Sequence, residues 1–399
     1  HVLPESGGFD PAELAQLAQE LEKYADRPLK IGSFSAASNV TGIVTDTEGI
    51  ANLLHAHGAL SFWDFAACAP YIEIEMNGPG ESNKDAIFIS PHKFIGGPGT
   101  PGLLVVRRDL LTNRVPVVPG GGTVIFVNPE EHRYLTDVEH REEGGTPAIV
   151  ESIRAGLVFD LKRAVGVPTI RAEEERLLEK ALTAWRDEPN IDILGNLDAQ
   201  RLSIVSFVVK APSGAYLHHN YVVALLNDLF GIQTRGGCSC AGPYGHRLLG
   251  IDLERSHAFE QQIATGCEGI KPGWVRVNFN YFVDDAVAAY VVEAVNLVAR
   301  EGWRLLGDYR FDPLTGLWKH RRGLADPPMR LRDVGYDADG RMSYPKQHVT
   351  APVSALAGYL DEARALFAEA EPLGEHAAAV DERFDELRWF ELPAQCVGA

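Results

Sequence analysis

Cysteines and basic side chains are scarce in this sequence, and each scarcity excludes a class of protein. The five cysteines are odd in number and scattered, at Cys68, Cys238, Cys240, Cys267 and Cys396. This argues against a disulfide framework and favours a reducing compartment, the cytoplasm. Acidic side chains outnumber basic ones by 55 to 37, and the net charge of −18 argues against nucleic acid as a partner. No apolar run reaches the roughly 20 residues of a membrane helix, so no membrane partner is expected either.

The start and the length of the chain bear on its organisation. The opening residues HVLPESGGFD have no initiator Met and no features of a secretion signal, which indicates a fragment or a processed product. A chain of 399 residues is too long for one ordinary core. We predict a large domain over residues 1–165, a smaller one over 166–303, and a C-terminal extension of unknown role over 304–399.

Hydrophobic patterning predicts an α/β protein. In the first half, short β-rich runs alternate with amphipathic helices; the predicted strands are 29–34, 59–65, 85–90 and 102–107, and the helices 12–24, 47–57 and 148–164. Such alternation favours a mostly parallel sheet with helices on both faces. A smaller α/β unit follows, with helices at 168–187, 217–230 and 284–301 and strands at 201–210, 231–235 and 273–279. From 304 onward little periodicity is left, apart from a helix at 351–370.

Polar residues end two of the predicted strands, where ligands bind in parallel sheets. Asp64 ends one strand, and taken alone it could equally be a helix cap or half of a salt bridge. Lys93 follows another strand within Ser90-Pro91-His92-Lys93, and it could be a plain surface charge. Together they suggest a pyridoxal 5'-phosphate (PLP) site, which needs an amine for the aldehyde, a carboxylate for the pyridine nitrogen and donors for the phosphate.

The sequence does not predict a metal site. Cys238 and Cys240 form a C-x-C pair with no second pair, which is weak support for zinc. His218, His219 and His246 have no ligand spacing, so we interpret them as surface or helix-cap residues.

A set of ordered motifs resembles the class V aminotransferase family, and within it the cysteine desulfurase and selenocysteine lyase branch. The motifs are Ser38-Asn39-Val40-Thr41-Gly42, Asp64-Phe65-Ala66, Ser90-Pro91-His92-Lys93, Gly120-Gly121-Gly122, Glu143-Gly144-Gly145-Thr146-Pro147, the run from Arg235 to Pro243, and Trp274-Val275-Arg276-Val277. They span roughly residues 1–300 in the family's order. The resemblance implies the fold of fold-type I PLP transferases.

The resemblance also implies a role for each matching residue. Lys93 would form the Schiff base with PLP and move the substrate's Cα proton, and Asp64 would pair with the pyridine nitrogen. Asn39 would bond near the phenolic oxygen of the cofactor, while Ser90 and His92 would hold its phosphate. Thr146 would reach the phosphate bound by a second subunit, which makes the expected assembly a homodimer. Arg235 and Arg276 would clamp the carboxylate of an amino-acid substrate.

Cys240 decides which reaction the resemblance implies. As a thiolate it would take the sulfur of L-cysteine as a persulfide, release L-alanine, and pass the sulfur to an acceptor protein. Three other readings of Cys240 stay open: an inert buried residue, a metal ligand, or a redox pair with Cys238. If Cys240 is not the nucleophile, the same PLP site could carry out transamination, epimerisation or another elimination, and a non-catalytic scaffold is a third alternative.

The sequence departs from the family pattern at two places. Ala67 stands where many family members have a polar residue near the cofactor, which leaves room for a reaction other than desulfuration. The family's phosphate-binding glycine loop and the residue that stacks on the cofactor ring would lie upstream of His1. We therefore expect the N-terminal part of the family domain to be absent from this sequence.

Overall fold

A computed structural model describes residues 7–238, 241–323, 327, 329–345, 350–373 and 382–397. These residues form two compact units, the first running up to Arg176 with Gly195–Ile204 added, the second comprising Leu177–Leu194 and the chain from Val205 onward. The domain boundaries predicted after residues 165 and 303 stay predictions. None of the described helices combines the length and apolarity needed to cross a membrane.

The first unit contains six strands and four complete helices. Its strands are β1 Ile31–Ser35, β2 Leu60–Asp64, β3 Ala86–Ile89, β4 Leu103–Val106, β5 Val124–Val127 and β6 His132–Tyr134. Its helices are α1 Pro11–Lys23, α2 Thr47–Ala56, α3 Val138–Glu142 and α4 Ile149–Val165, and α5 Val167–Trp185 continues into the second unit.

The main sheet of the first unit has the order β1-β2-β3-β4. β1, β2 and β3 run parallel, and β4 runs antiparallel to β3. The prediction of an α/β fold with a mostly parallel sheet is therefore confirmed.

Helix α2 shows why the sequence forms these elements. Asp46 accepts a hydrogen bond from the amide of Gly49 at 2.9 Å and starts the helix. Its Ile50 and Leu54, four residues apart, are then buried on one face of the helix.

The second unit contains a four-stranded sheet and two small hairpins. Its strands are β7 Ile191–Ile193, β8 Ile204–Val209, β9 Arg235–Gly237, β10 Trp274–Asn278, β11 Tyr309–Asp312, β12 Leu317–His320, β13 Gly335–Tyr336 and β14 Met342–Ser343. Its helices are α6 His219–Phe230, α7 Gly242–Leu248, α8 Leu253–Ala264, α9 Asp285–Glu301, α10 Leu356–Glu369 and α11 Glu382–Leu387. The larger sheet has the order β7-β8-β10-β9, and β9 and β10 are antiparallel.

The strand predicted at 231–235 was placed too early, since β9 begins only at Arg235. The cause is the end of α6. Gly231 adopts a left-handed conformation with φ of 66°, and the amide of Ile232 donates back to the carbonyl of Leu226 at 3.0 Å. Gly231 and Ile232 therefore belong to the end of the helix and cannot be part of the strand.

A buried carboxylate, Asp85, stabilises the sheet at the amino end of β3. It accepts hydrogen bonds from the amide of Ser61 at 2.7 Å and from Nη1 of Arg107 at 2.7 Å, and it contacts Nε2 of His55 at 2.9 Å. Burial opposes the charge of Asp85, but these bonds from His55, Ser61 and Arg107 outweigh it and lower the pKa of the carboxyl group. Asp85 thus links α2, β2 and the end of β4.

We expect Asp85→Asn to lower the free energy of unfolding by about 1.5–3 kcal/mol, because charged hydrogen bonds are lost in a buried position. Urea unfolding at pH 7 measures this change. The control is Asp109→Asn, which removes an exposed partner of the same Arg107 and should cost at most about 1 kcal/mol. Equal losses in the two variants would contradict the role of Asp85.

The same carboxylate should make stability depend on pH. Because the pKa of Asp85 is lowered in the folded state, its contribution is present above the unfolded value of about 3.9 and is lost as the pH falls through the folded value. We expect urea midpoints to fall on acidification below about pH 4, and to fall less in Asp85→Asn than in the wild type. An identical acid profile in both proteins would contradict this assignment.

Candidate active site

Asn39 lies in the loop that follows β1. The hydroxyl of Ser38 accepts hydrogen bonds from the two amides that follow Asn39, each at 3.1 Å, so the loop is tightly turned around it. Gly42 ends the turn with φ of 77°, and a Cβ there would lie 2.9 Å from the carbonyl oxygen of Leu202. Asn39 is half-buried and held at the carboxyl edge of the main sheet.

Asp64 is the last residue of β2, in register with Ser35 of β1 and Phe88 of β3. Its carbonyl accepts a hydrogen bond from the amide of Ala36 at 2.8 Å, which continues the strand pairing past the end of β1. Its side-chain Oδ1 accepts from the amide of Ala66 at 2.7 Å, and the side chain is exposed. The carboxylate is therefore oriented by the backbone but accessible.

Lys93 ends a short 3-10 helix, Pro91–Lys93, that directly follows β3. The amide of Lys93 donates to the carbonyl of Ser90 at 3.0 Å. Ser90 is half-buried, while His92 and Lys93 are exposed. Since β2 and β3 are parallel neighbours, this turn and Asp64 lie at the same edge of the sheet.

The buried thiol of Cys68 lies four residues after Asp64. Burial and the negative charge of Asp64 raise the pKa of Cys68 to about 12, while the positive charges of Lys162 and Lys93 oppose this shift. The parallel pairing of β2 and β3 places Asp64 and the turn that holds Lys93 at neighbouring strand ends. The structure thus brings to one sheet edge the two residues that the sequence analysis paired.

Thr146 lies in another loop of the first unit, just before α4, and is exposed. The preceding glycines fix the path of this loop. The amide of Gly145 donates to the carbonyl of Gly121 at 2.8 Å, and a Cβ on Gly144 would lie 2.9 Å from the carbonyl oxygen of Val118. This close approach requires a glycine at position 144, and the positive φ of Gly122 (84°) and Gly145 (89°) favours glycine there.

Arg235 and Arg276 face each other in the second unit as direct partners across the β9–β10 pairing. Both line a cavity of about 390 Å³ together with Thr234, Asn278 and Asn280. The lining side chains include two cations and several amides but no carboxylate. A cavity with these groups is suited to an anion such as a carboxylate.

The cysteine motif is only partly described. Cys238 follows β9 and is exposed, whereas Cys240, predicted as the nucleophile, lies outside the described residues. Cys238 also lines a mostly apolar cavity of about 280 Å³ with Phe259, Ile263 and Trp274. Among the described residues, no group of three His, Cys, Asp or Glu side chains could hold a metal ion.

Sequence reasoning missed two neighbours of the Lys93 turn. Cys68 follows Asp64 by four residues. In a helical turn this spacing places two side chains next to each other, so the sequence could have indicated that Cys68 lies near Asp64. Arg154 of α4 lies over the glycine run after Lys93, where a Cβ on Gly99 would be 2.9 Å from its Nη2. No signal in the sequence links Arg154 to Gly99, because the contact joins segments far apart in the chain.

Of the histidines interpreted as surface or helix-cap residues, His218 is a helix cap, but neither His218 nor His219 lies on the surface. His218 and His219 are buried, with relative exposures of 1% and 6%. His218 does cap a helix, since its ring accepts a hydrogen bond from the amide of Asn220 at 3.1 Å at the start of α6. Both are buried because aromatic side chains from beyond residue 310 cover them, and the sequence pattern did not reveal that contact.

The donor set at the sheet edge fits PLP chemically. Lys93 offers an amine for an aldehyde, Asp64 a carboxylate for a protonated ring nitrogen, and Ser90 and His92 offer donors for a phosphate. These groups come from two neighbouring strand ends, and Asn39 comes from the third.

Comparisons with known proteins find both sequence relatives and solved structures that are similar to this chain. The family described as aminotransferase class-V matches residues 10–258. A probable cysteine desulfurase from Halobacterium salinarum is 31% identical over 222 residues, covering 56% of this chain and 51% of the relative. One from Halalkalibacterium halodurans is 29% identical over 225 residues, covering 56% and 52%. The chain spans about half the length of the curated relatives it matches.

Solved structures share the fold. An apo cysteine desulfurase from Thermococcus onnurineus NA1 matches with a TM-score of 0.58 and 22% identity, over 74% of this chain and 64% of that one. A C-DES variant with glycine covalently linked to its PLP cofactor matches with a TM-score of 0.54 and 17% identity, over 74% and 65%. These likenesses confirm the predicted fold-type I architecture.

The burial of the thiols predicts their reactivity. Burial raises the pKa of Cys68 and of Cys396 to about 12, whereas Cys238 is exposed. With iodoacetamide at pH 8, we expect peptide mapping to find Cys238 alkylated in the native protein and Cys68 and Cys396 alkylated only after unfolding, because the thiolate is the reactive form. Rapid labelling of Cys68 in the folded protein would contradict the described packing.

Proposed function

The chain belongs to the class V aminotransferase family, and from this we propose that it is part of a PLP-dependent enzyme that removes sulfur from L-cysteine. The curated relatives named above are probable cysteine desulfurases. The proposed products are L-alanine and a persulfide on Cys240. The observation that carries the proposal is the position of an amine and a carboxylate at the ends of two adjacent parallel strands.

We assign the cofactor contacts to the residues at the sheet edge. PLP, when bound, supplies an aldehyde and an electron-withdrawing ring. In the proposed roles, Lys93 binds the aldehyde carbon and carries the proton taken from the substrate's Cα, while Asp64 keeps a proton on the ring nitrogen. Ser90 and His92 donate to the phosphate, and Asn39 bonds near the phenolic oxygen. The hydrogen bond from the amide of Ala66 supports the role of Asp64, since it fixes the direction of the carboxylate.

We assign the substrate to the arginine pair. Arg235 and Arg276 bind the α-carboxylate, and the facing positions of the two residues on β9 and β10 support this role. The Cys240 thiolate attacks the sulfur of cysteine, the Cβ–S bond breaks, and its electron pair goes to the carbon, which takes a proton to become the methyl group of alanine. The sulfur stays on Cys240 for transfer to an acceptor protein.

Ala67 favours a second candidate function. It is half-buried three residues after Asp64, where the family pattern has a polar side chain. The same site without a catalytic cysteine would act as an aminotransferase, an epimerase or a different lyase. Cys240→Ser separates the two, because it should abolish alanine formation from cysteine but leave transamination unchanged.

We also propose a homodimer, in which Thr146 reaches the phosphate bound by the other subunit. Support comes from α4, which begins just after Thr146 and exposes a row of apolar side chains. Their relative exposures are 58% for Ile149, 70% for Val150, 63% for Ile153 and 60% for Leu157. An apolar row of this kind is typical of surfaces that another chain covers.

We further propose a cytoplasmic location, which the free thiols among the described cysteines support.

Replacing the proposed cofactor lysine tests the central assignment. In the full-length protein, we expect Lys93→Ala to lose the visible absorbance of bound PLP and to form alanine from L-cysteine at least about 10³-fold more slowly, because the group that moves the proton is missing. Absorbance spectra and an alanine assay measure these effects. The control is Lys23→Ala, which removes an exposed lysine of α1. A yellow, active Lys93→Ala protein would refute the proposal.

The dimer is tested on α4. We expect Ile153→Glu to halve the molar mass measured by light scattering at micromolar protein, since a charge would be buried in the proposed interface. Ser152→Glu, an exposed polar neighbour in the same helix, is the matched control and should leave the mass unchanged. A wild-type protein that is monomeric throughout this range would disprove the dimer.

A further inference from the structure

We propose that the C-terminal segment 389–392 positions the arginine pair of β9 and β10, acting through a stack of Trp389 on His219. Trp389 and His219 are positioning residues in this proposal, since neither is placed in contact with a substrate. The inference rests on the proposed function only where it assigns the arginines to the substrate carboxylate.

Backbone and side-chain bonds anchor the C-terminal segment to the second unit. The amide of Glu391 donates to the carbonyl of Tyr216 at 2.8 Å, and Phe390 pairs with Tyr216 in a parallel bridge. The hydroxyl of Ser213 donates to Oε2 of Glu391 at 2.5 Å. The indole Nε1 of Trp389 donates to the carbonyl of Ile270 at 3.0 Å. The segment therefore has a defined position beside the start of α6.

The anchored segment covers the start of α6 with an aromatic cluster formed by His218, His219, Phe311, Trp318, Trp389 and Phe390. Trp389 stacks on His219 with ring centroids 5.8 Å apart and planes 6° from parallel. Phe390 meets His218 edge-on at 4.6 Å, and Phe311 lies 5.5 Å from the same ring. Aromatic pairs in such arrangements stabilise a contact beyond the area they bury.

His219 transmits this packing to β9 and β10. A Cβ on Gly236, the middle residue of β9, would lie 2.7 Å from Oδ1 of Asn220, 3.1 Å from Cγ2 of Val223 and 3.2 Å from Cδ2 of His219. A Cβ on Gly273, the residue before β10, would lie 2.8 Å from Nδ1 of His219 and 2.7 Å from the Cα of Gly237. The start of α6 thus packs on Gly236, and its His219 is the side chain that contacts glycine backbone at both strands.

The contact depends on ring shape and not on charge. Burial lowers the pKa of His219 to about 3, so the ring is neutral at physiological pH. Its Nδ1 has no hydrogen-bond partner among the described residues. A neutral ring that makes no hydrogen bond at this nitrogen contributes mainly by packing, so a phenyl ring should replace it.

The arginine strands have reason to need this support. β9 is only three residues long and two of them are glycines, which contribute no packing of their own. Arg235 lies directly opposite Arg276 in the pairing, so the position of this short strand sets the distance between the two side chains. Support from behind would keep both guanidinium groups in place before a carboxylate arrives.

The test compares four variants of the full-length, PLP-loaded protein. Trp389→Leu and His219→Ala remove the stack, His219→Phe keeps a ring, and Trp303→Leu is a matched control at a tryptophan that contacts Arg304. In the first two we expect amide hydrogen exchange in β9 and β10 to be about tenfold faster, while the rest of the second unit is unchanged. KM for L-cysteine should rise about tenfold with kcat within about threefold, because the loss is in binding. His219→Phe and Trp303→Leu should behave like the wild type.

Three other results would contradict the proposal or the ring-shape argument behind it, and a fourth would contradict only the proposed function. Unchanged exchange in β9 and β10 would overturn the proposal, and so would faster exchange spread evenly over the second unit, which indicates a general loss of stability. Failure of His219→Phe to restore slow exchange would overturn the ring-shape argument on which it depends. If the wild type forms no alanine from cysteine, the proposed function fails, whereas the exchange data still decide whether the stack holds the strands.

Discussion

The parallel pairing of β1, β2 and β3 is the constraint on which the candidate site depends. Parallel strands end at the same edge, so residues separated in sequence meet there. Hydrogen bonds from Ala36 to Asp64 and from Phe65 to Phe88 carry the pairing past the strand ends, which fixes Asp64 and the turn that holds Lys93. At the other edge, Asp85 uses its charge for stability. One edge therefore carries a buried, hydrogen-bonded charge, and the other carries the exposed side chains of the candidate site.

The two units support their functional residues by different means. In the first, backbone hydrogen bonds orient the side chains, as the amide of Ala66 does for Asp64. In the second, Arg235 and Arg276 lie on short strands. Glycines in and beside these strands let side chains of α6 approach the backbone closely. There the support comes from aromatic packing at His219 and Trp389. Residues beyond the part that resembles the family thus contribute to a substrate site proposed within it.

Much of the fold could be predicted because it depends on local patterns, whereas the cofactor site stays a prediction. The amphipathic helix α2 joins β1 to β2, but β3 follows β2 without a helix between them, and Lys93 follows its strand after a single turn. Prediction was poorer where the signal is not local. The strand β9 was misplaced because Gly231 ends α6 in a left-handed conformation. The burial of His218 and His219 was not predicted, because the rings that cover them lie far along the chain.

The sequence by itself determined the α/β class and the family, because strand periodicity and ordered motifs are local patterns, and it predicted that Lys93 and Asp64 act together. Only the tertiary structure decided that these two residues lie at neighbouring ends of parallel strands, that Arg235 faces Arg276, and that Trp389 stacks on His219. These contacts join residues distant in the chain, and they arise from strand register and side-chain packing, which no local pattern encodes.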